Sequence, residues 1–266
     1  MTPKIIHQIW YQGVDKIPQN LQNNSNKIIN LHKNWKYMIW DNNSIKKYFK
    51  NNHRILTTYN KLKYLHQKVD FMKYCILYNF GGVYMDMDIN ALKSLDQLVK
   101  QYENYECILS GINLNVMESY ALCRNNKCIN NGIIISQQKS NFMLALINEI
   151  CKNNKCQIYD LNKSICINRT TGPLLITKIY NNYENKSQIK ILHYSYFEPC
   201  VLGDICDIKK NTILIHTHNT TWINTQITKF LYYYFKYKLI IYLAIYLILI
   251  IIVIQISHYI MCYIKK

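Results

Sequence analysis

Apolar residues in this chain fall into short blocks separated by polar, Asn-rich stretches, and the blocks alternate between strand-like and helix-like lengths. Lys4 to Trp10, carrying Ile5, Ile6, Ile9 and Trp10, predicts a strand, followed by a loop through Gly13 and Pro18 and a helix to about His32. Tyr37 to Trp40 predicts a second strand, and Asp41 or Asn42 is suited to cap a helix running towards Phe49. Strand, helix, strand, helix at this spacing argues for a parallel α/β sheet. A long helix is expected over about Lys61 to Phe80, ended by Gly81 in the left-handed C-cap position. Downstream, Glu106 to Gly111 and Gly132 to Ser136 predict strands, Asn141 to Cys151 a helix, Gly172-Pro173 a helix start and Thr212 to His216 a last short strand.

The far end has a different pattern. From Leu239 to Ile254 every residue is apolar or Tyr, and no Asp, Glu, Lys or Arg follows until Lys265. A bilayer requires about 20 such residues. A single membrane helix over about 239–261 is therefore expected, acting as a tail anchor. Tyr232, Tyr233, Tyr234 and Tyr237 before it and Tyr259 and Tyr263 after it fit interfacial belts, while Lys229, Lys236 and Lys238 against Lys265 and Lys266 favour a cytosolic main domain. The opening ten residues do not read as a cleavable secretory signal. The expected division is a catalytic domain over 1–228 and a juxtamembrane and anchor segment over 229–266.

Composition changes the picture in two ways. The net charge of +17 over 266 residues would suit nucleic acid, but the cations are almost all Lys, with Arg only at positions 54, 124 and 169. With Asn, Ile and Tyr also abundant, the charge reads as compositional bias; no nucleic-acid partner is expected, although phosphate ligands and anionic lipid remain favoured. Eight of the ten cysteines crowd between Cys107 and Cys206 without a Cys-x-x-Cys pair, which disfavours zinc. Cys123/Cys128 and Cys151/Cys156 are candidate disulfide members, with buried free thiols the alternative.

The candidate chemistry lies in Gly81-Gly82-Val83-Tyr84-Met85-Asp86-Met87-Asp88. In an extended strand Tyr84, Asp86 and Asp88 share one side while Val83, Met85 and Met87 pack inward. Two acids so close repel unless a cation or proton lies between them, and oxygen ligands of this kind suit magnesium, manganese or calcium. On the preceding helix Asp70, Lys73 and Tyr74 share a face opposite Val69, Met72, Ile76 and Phe80. His7 and Gln8 could approach a ligand, but hydrogen bonding within the fold is the favoured reading.

Three motifs occur in order: Lys4-Ile-Ile-His-Gln-Ile-Trp10, Asp70-x-x-Lys73-Tyr74-x-x-Leu77-Tyr78 and the Gly81–Asp88 run. Together they resemble the DXD-containing glycosyltransferases of family 32 over about Lys4 to Leu95, with shorter echoes at Asn130-Asn131-Gly132, Thr171-Gly172-Pro173 and His216 with Trp222. The resemblance implies a GT-A fold, a Rossmann-like mixed sheet flanked by helices, and a retaining enzyme that uses a nucleotide-sugar donor, GDP- or UDP-hexose with mannose favoured, and a divalent metal, Mn2+ or Mg2+. By position, Asp86 and Asp88 would bind metal and donor, Asp70 the donor sugar and Trp10 the nucleobase, with Lys73, Tyr74 and Gly82 completing the donor site and His216 the metal site. The family usually has Arg at the place of Lys73, and two adjacent His before Ser-Trp where His216, Thr217, His218 and Thr221-Trp222 stand here.

The anchor and its lysines suggest a glycolipid or glycan acceptor near a membrane. Luminal working sites in the family weigh against the lysine-based orientation. Two other readings share these residues: an Asp-x-Asp phosphatase or phosphotransferase, using Gly203-Asp204-x-x-Asp207 as a second acidic site, and a silent membrane-anchored binder of sugar nucleotides. A calcium EF-hand is excluded, since Ala91 and Gln97 stand where glycine and glutamate are required.

Overall fold

The computed structural model describes residues 1–160, 162–200, 206–218 and 225–264. β1 (Ile5–Ile9) is followed by α1 (Gln19–Leu31) and β2 (Lys36–Trp40). Three helices come next, α2 (Asn42–Tyr48), α3 (His53–Lys61) and α4 (Leu65–Phe80), then β3 (Gly82–Met85) and the short β4 (Ile89–Ala91). The chain continues through α5 (Asp96–Gln101), β5 (Cys107–Ser110), α6 (Val116–Cys123), β6 (Ile133–Ser136), α7 (Asn141–Lys152), α8 (Lys163–Thr170), α9 (Pro173–Asn182), β7 (Ile189–Leu192) and β8 (Leu214–His216). A 40-residue helix, α10 (Thr225–Ile264), completes the described chain.

Six strands form one sheet in the order β2-β1-β3-β6-β5-β7, and β4 pairs with β8 in a small second sheet. The sequence pattern alone argued for a parallel sheet. β1 is indeed parallel to β2 and β3, and β5 to β7, but β6 runs antiparallel to both β3 and β5. The sheet is mixed, as the family resemblance implied. Its two faces bury different side chains of the same strands, following the two-residue period. Tyr84 and Ile134 join the layer of α4 and α7, whereas Val83, Met85, Ile133 and Ile135 join Ile28 of α1 and Leu98 of α5.

Local signals explain the frame around β3. Asp41 caps α2 by accepting the Ser44 N–H at 2.7 Å. The expected 61–80 helix is α4, which begins at Leu65 after Tyr64, whose N–H is held by Gln67 Oε1 at 3.0 Å, while α3 over His53–Lys61 is a further helix before it. Rather than two faces, α4 has an almost wholly buried middle, with Asp70, Lys73 and Tyr74 buried alongside Phe71, Met72 and Ile76. Gly81 ends it at φ 64°, and Gly82 follows at φ 95° with its Cα against the Ile5 carbonyl. A side chain at Gly82 would strike that backbone.

The chain divides into two compact units, Met1–Trp222 and Ile223–Lys266. Within the second, Tyr233–His258 is 26 residues long and apolar enough to cross a bilayer, and none of it is buried.

Among the described residues three disulfides are present, Cys123–Cys128, Cys156–Cys166 and Cys200–Cys206. Cys123 and Cys128 pair as their spacing allowed. Cys156 bonds Cys166 instead of Cys151, which stays a free thiol, because the turn of α8 brings Cys166 to it while Cys151 packs under Thr58 of α3.

Candidate active site

Parallel β1 and β3 end at the same edge of the sheet, and the residues just beyond them meet there. Trp10 follows β1, half-buried, with its indole N–H donated to the Lys16 carbonyl at 3.1 Å. Asp86 follows β3. The strand does not carry on through Asp88 as the alternating pattern suggested: β3 stops at Met85, and a turn over Met87 and Asp88 leads into β4. The two carboxylates converge through this turn. It is pinned from within the fold, for Asp86 N–H bonds the Gly132 carbonyl at 2.8 Å and the Gln8 side-chain amide donates to the Asp86 carbonyl at 3.1 Å. Gln8 is itself held by Ser25 and Tyr37, and Thr217 fastens the Asp88 carbonyl from β8.

The pairing of β4 with β8 delivers the third member. His216 sits opposite Ile89, and its Nε2 lies 3.1 Å from Asp88 Oδ1 and 3.9 Å from Asp86 Oδ2. On the other side its Nδ1 donates to Oε1 of Glu198 at 2.9 Å. Glu198 is fully buried, and His218, stacked on His216, places Nε2 2.9 Å from the second Glu198 oxygen while directing its N–H to the Cys200 carbonyl at 3.2 Å. Burial works against charge on His216 and on Glu198. The surrounding partners outweigh it, so Glu198 and Asp88 hold the His216 pKa well above its ordinary value, and His216 and His218 hold that of Glu198 below.

A second network supports Asp86 from beneath. Asp70 is buried, with Oδ1 accepting from Lys73 Nζ at 2.7 Å and Asn131 Nδ2 at 3.0 Å, and Oδ2 accepting from Thr171 Oγ1 at 2.9 Å. Lys73, 2% exposed, also donates to the Asn131 carbonyl, lies 3.7 Å from Asp86 and sits over the Tyr84 ring. Burial disfavours its charge, but Asp70 and Asp86 prevail and raise its pKa. The Tyr84 hydroxyl donates to Asp86 at 2.7 Å.

These contacts sort the expected site residues. Asp70, Lys73, Asp86, Asp88 and His216 are brought together. Lys73 is enclosed between two carboxylates, and Tyr74 is fully buried with its hydroxyl on the Thr171 carbonyl. Gly82 lies at the opposite end of β3 from Asp86, packed on Ile5, and is not part of the cluster. His7 is internal, accepting from Trp40 and donating to the Gly81 carbonyl. Trp222 lies outside the described residues, as do Gly203 and Asp204; Asp207 pairs with Lys209. Sequence reasoning gave no role to Asn131 and Thr171, although both stood in quoted motifs, and nothing in the sequence marks Glu198.

The side chains fit a divalent cation. Asp86, Asp88 and His216 offer two carboxylate oxygens and an imidazole nitrogen within 4.8 Å of one another. With Nδ1–H donated to Glu198, a cation that displaces the Nε2 proton would meet the Nε2 lone pair between both acids. Gly132 keeps the centre of the cluster open: a Cβ there would lie 2.7 Å from both Asp86 Oδ2 and His216 Cε1.

A mixed sheet flanked by helices, with paired acids just beyond its third strand, is the arrangement of the GT-A fold. The chain matches the catalytic domain of alpha-toxin from Clostridium novyi over 90% of its own length and 83% of that domain, at 10% identity and TM-score 0.52. Residues 18–105 match the family described as glycosyltransferase sugar-binding region containing DXD motif. The protein is a glycosyltransferase similar to the DXD enzymes of family 32. It is 28% identical over 231 residues, 84% of each chain, to an uncharacterized glycosyltransferase, L373, of Acanthamoeba polyphaga mimivirus. Against mannosyl phosphorylinositol ceramide synthase SUR1 of Saccharomyces cerevisiae it is 24% identical over 74% of this chain, and the match spans 48% of that longer protein.

Proposed function

We propose that this protein is a metal-dependent, retaining hexosyltransferase that moves mannose from a nucleotide-sugar donor to a glycolipid or glycan acceptor beside a membrane. The observation that carries it is the Asp86–Asp88–His216 triad, oriented from behind by buried Glu198. A manganese or magnesium ion held there would neutralise the charge that grows on the departing diphosphate. Asp70, held by Lys73, Asn131 and Thr171, is positioned to accept a hydroxyl of the donor sugar. Trp10, at the same sheet edge, offers an aromatic face for the base. The acceptor oxygen forms the new bond to the sugar carbon as the carbon–phosphate-oxygen bond breaks, and its proton passes to the departing phosphate on the same face; no side chain is assigned as base.

Mannose and a lipid acceptor are supported by the similarity to SUR1, whose name describes a mannosyl inositol-lipid synthase, and by the bilayer-length helix. That helix serves as the anchor. Three disulfides in the first unit favour an oxidising compartment for the catalytic face, against the cytosolic side favoured by lysine counts.

The test is turnover of a panel of GDP- and UDP-sugars by the full chain in detergent with manganese, scored as donor hydrolysis and transfer. GDP-mannose should turn over, and Asp88→Asn should abolish this while leaving the thermal midpoint nearly unchanged. A folded wild type that uses no donor, or an Asp88→Asn variant with full activity, would refute the reading.

A further inference from the structure

Large apolar side chains exposed on the first unit are not evenly spread. Among the described residues, half of them lie on α6, on the loop before α8 and on α8 itself: Val116, Met117 and Tyr120, then Ile158 and Tyr159, then Ile165. Met117 is 79% exposed and Ile158 fully so. The elements that bear them are neighbours. α6 and α8 both pack on α9, and Asn168 of α8 donates to the Leu122 carbonyl of α6 at 2.7 Å. Two disulfides stiffen the region, Cys123–Cys128 at the end of α6 and Cys156–Cys166 between the loop and α8.

Charge on this lobe is one-sided. Arg124, Lys127, Lys152, Lys155 and Lys163 are exposed around the apolar residues. The carboxylates in the same segments are engaged locally, Glu118 in the α6 capping box and Asp160 in a two-pronged pair with Arg169. Exposed apolar side chains that include tyrosines, ringed by cations, suit the headgroup region of a bilayer with anionic lipid.

The lobe also adjoins the chemistry. α8 runs directly into Thr171, and the segment after α6 runs through Cys128 into Asn131, so both of its strandless arms end on the side chains that hold Asp70. We propose that the α6–α8 lobe is a membrane-docking surface that seats the first unit on anionic lipid, independently of the bilayer-length helix, and brings the acceptor headgroup to the mouth of the site. This rests on the reading of the protein as a transferase working beside a membrane.

The full chain reconstituted into neutral phosphatidylcholine vesicles, into vesicles with added phosphatidylserine, and into detergent tests this by hydrogen exchange. Amides of 116–123, 156–160 and 162–166 should exchange about tenfold more slowly on the anionic vesicles than in the other two settings, and high salt should remove the difference. The triple substitution Met117→Glu, Ile158→Glu and Tyr159→Glu, all at exposed positions, should abolish that protection and raise the KM for lipid acceptor in vesicles, with GDP-mannose hydrolysis unchanged. Equal exchange in all three settings would overturn the proposal, and so would protection in detergent that grows with protein concentration, which would assign the face to a second copy. The exchange readout needs no turnover, so a wild type that hydrolyses no donor refutes the proposed function and leaves this result standing.

Discussion

His216 Nδ1 lies 2.9 Å from Oε1 of Glu198, a carboxylate 18 residues earlier in the chain and wholly buried. The contact decides which imidazole nitrogen faces Asp86 and Asp88. Partners of this kind typically contribute 10–100-fold to metal affinity. Glu198→Gln keeps the size and an acceptor but removes the charge that favours the Nδ1–H tautomer. Manganese affinity, read from the metal dependence of donor hydrolysis, should fall by about 10–100-fold. An unchanged dissociation constant would show that Glu198 has only a packing role.

The absence of a side chain at position 132 has a separate consequence. Gly132→Ala would push a methyl group to 2.7 Å from both Asp86 Oδ2 and His216 Cε1, and those ligands must move apart. Metal affinity should drop by about tenfold or more. Gly111→Ala is the control, since its nearest neighbour would stand at 3.8 Å, an ordinary contact. Equal manganese titrations for the two variants would contradict the crowding argument.

His7 couples stability to pH. Burial, the largest influence, and the nearby Lys36 lower its pKa from the ordinary 6.5 to about 4 against the pull of the Gly81 carbonyl. The unfolded chain therefore binds a proton that the folded chain refuses between those values. Stability contributed by neutral His7 is complete above about pH 6.5 and is lost as pH falls towards 4, a change of about 3 kcal/mol. Denaturant unfolding at pH 7 and pH 4.5 should show this loss, and His7→Gln should reduce it. Identical pH dependence in the two proteins would remove His7 as the cause.

Much of the frame was legible because it depends on neighbours in the chain. The hydrophobic block of β1, the Asp41 cap, the Gly81 stop and the all-apolar run of α10 are local signals, and each element formed within a few residues of its expected place. The start of α4 fell at Leu65, a few residues past its expected place, because the capping contact between Tyr64 and Gln67 has no strong sequence signature. The direction of β6 could not be read, since an apolar strand looks the same parallel or antiparallel.

The site divides along the same line. The chain by itself suggested the ligand types, because two carboxylates one residue apart can be turned onto one point, where their charges demand compensation. Only tertiary structure decided the rest. Register between β4 and β8 set His216 opposite Ile89 and so beside Asp88, burial turned Glu198 into its orienting partner, and enclosure by Asp70 and Asp86 made Lys73 an internal counter-charge instead of an open hand for phosphate. Those outcomes depend on distances between residues far apart in sequence and on the loss of water around charges, and neither quantity exists until the sheet has closed over them.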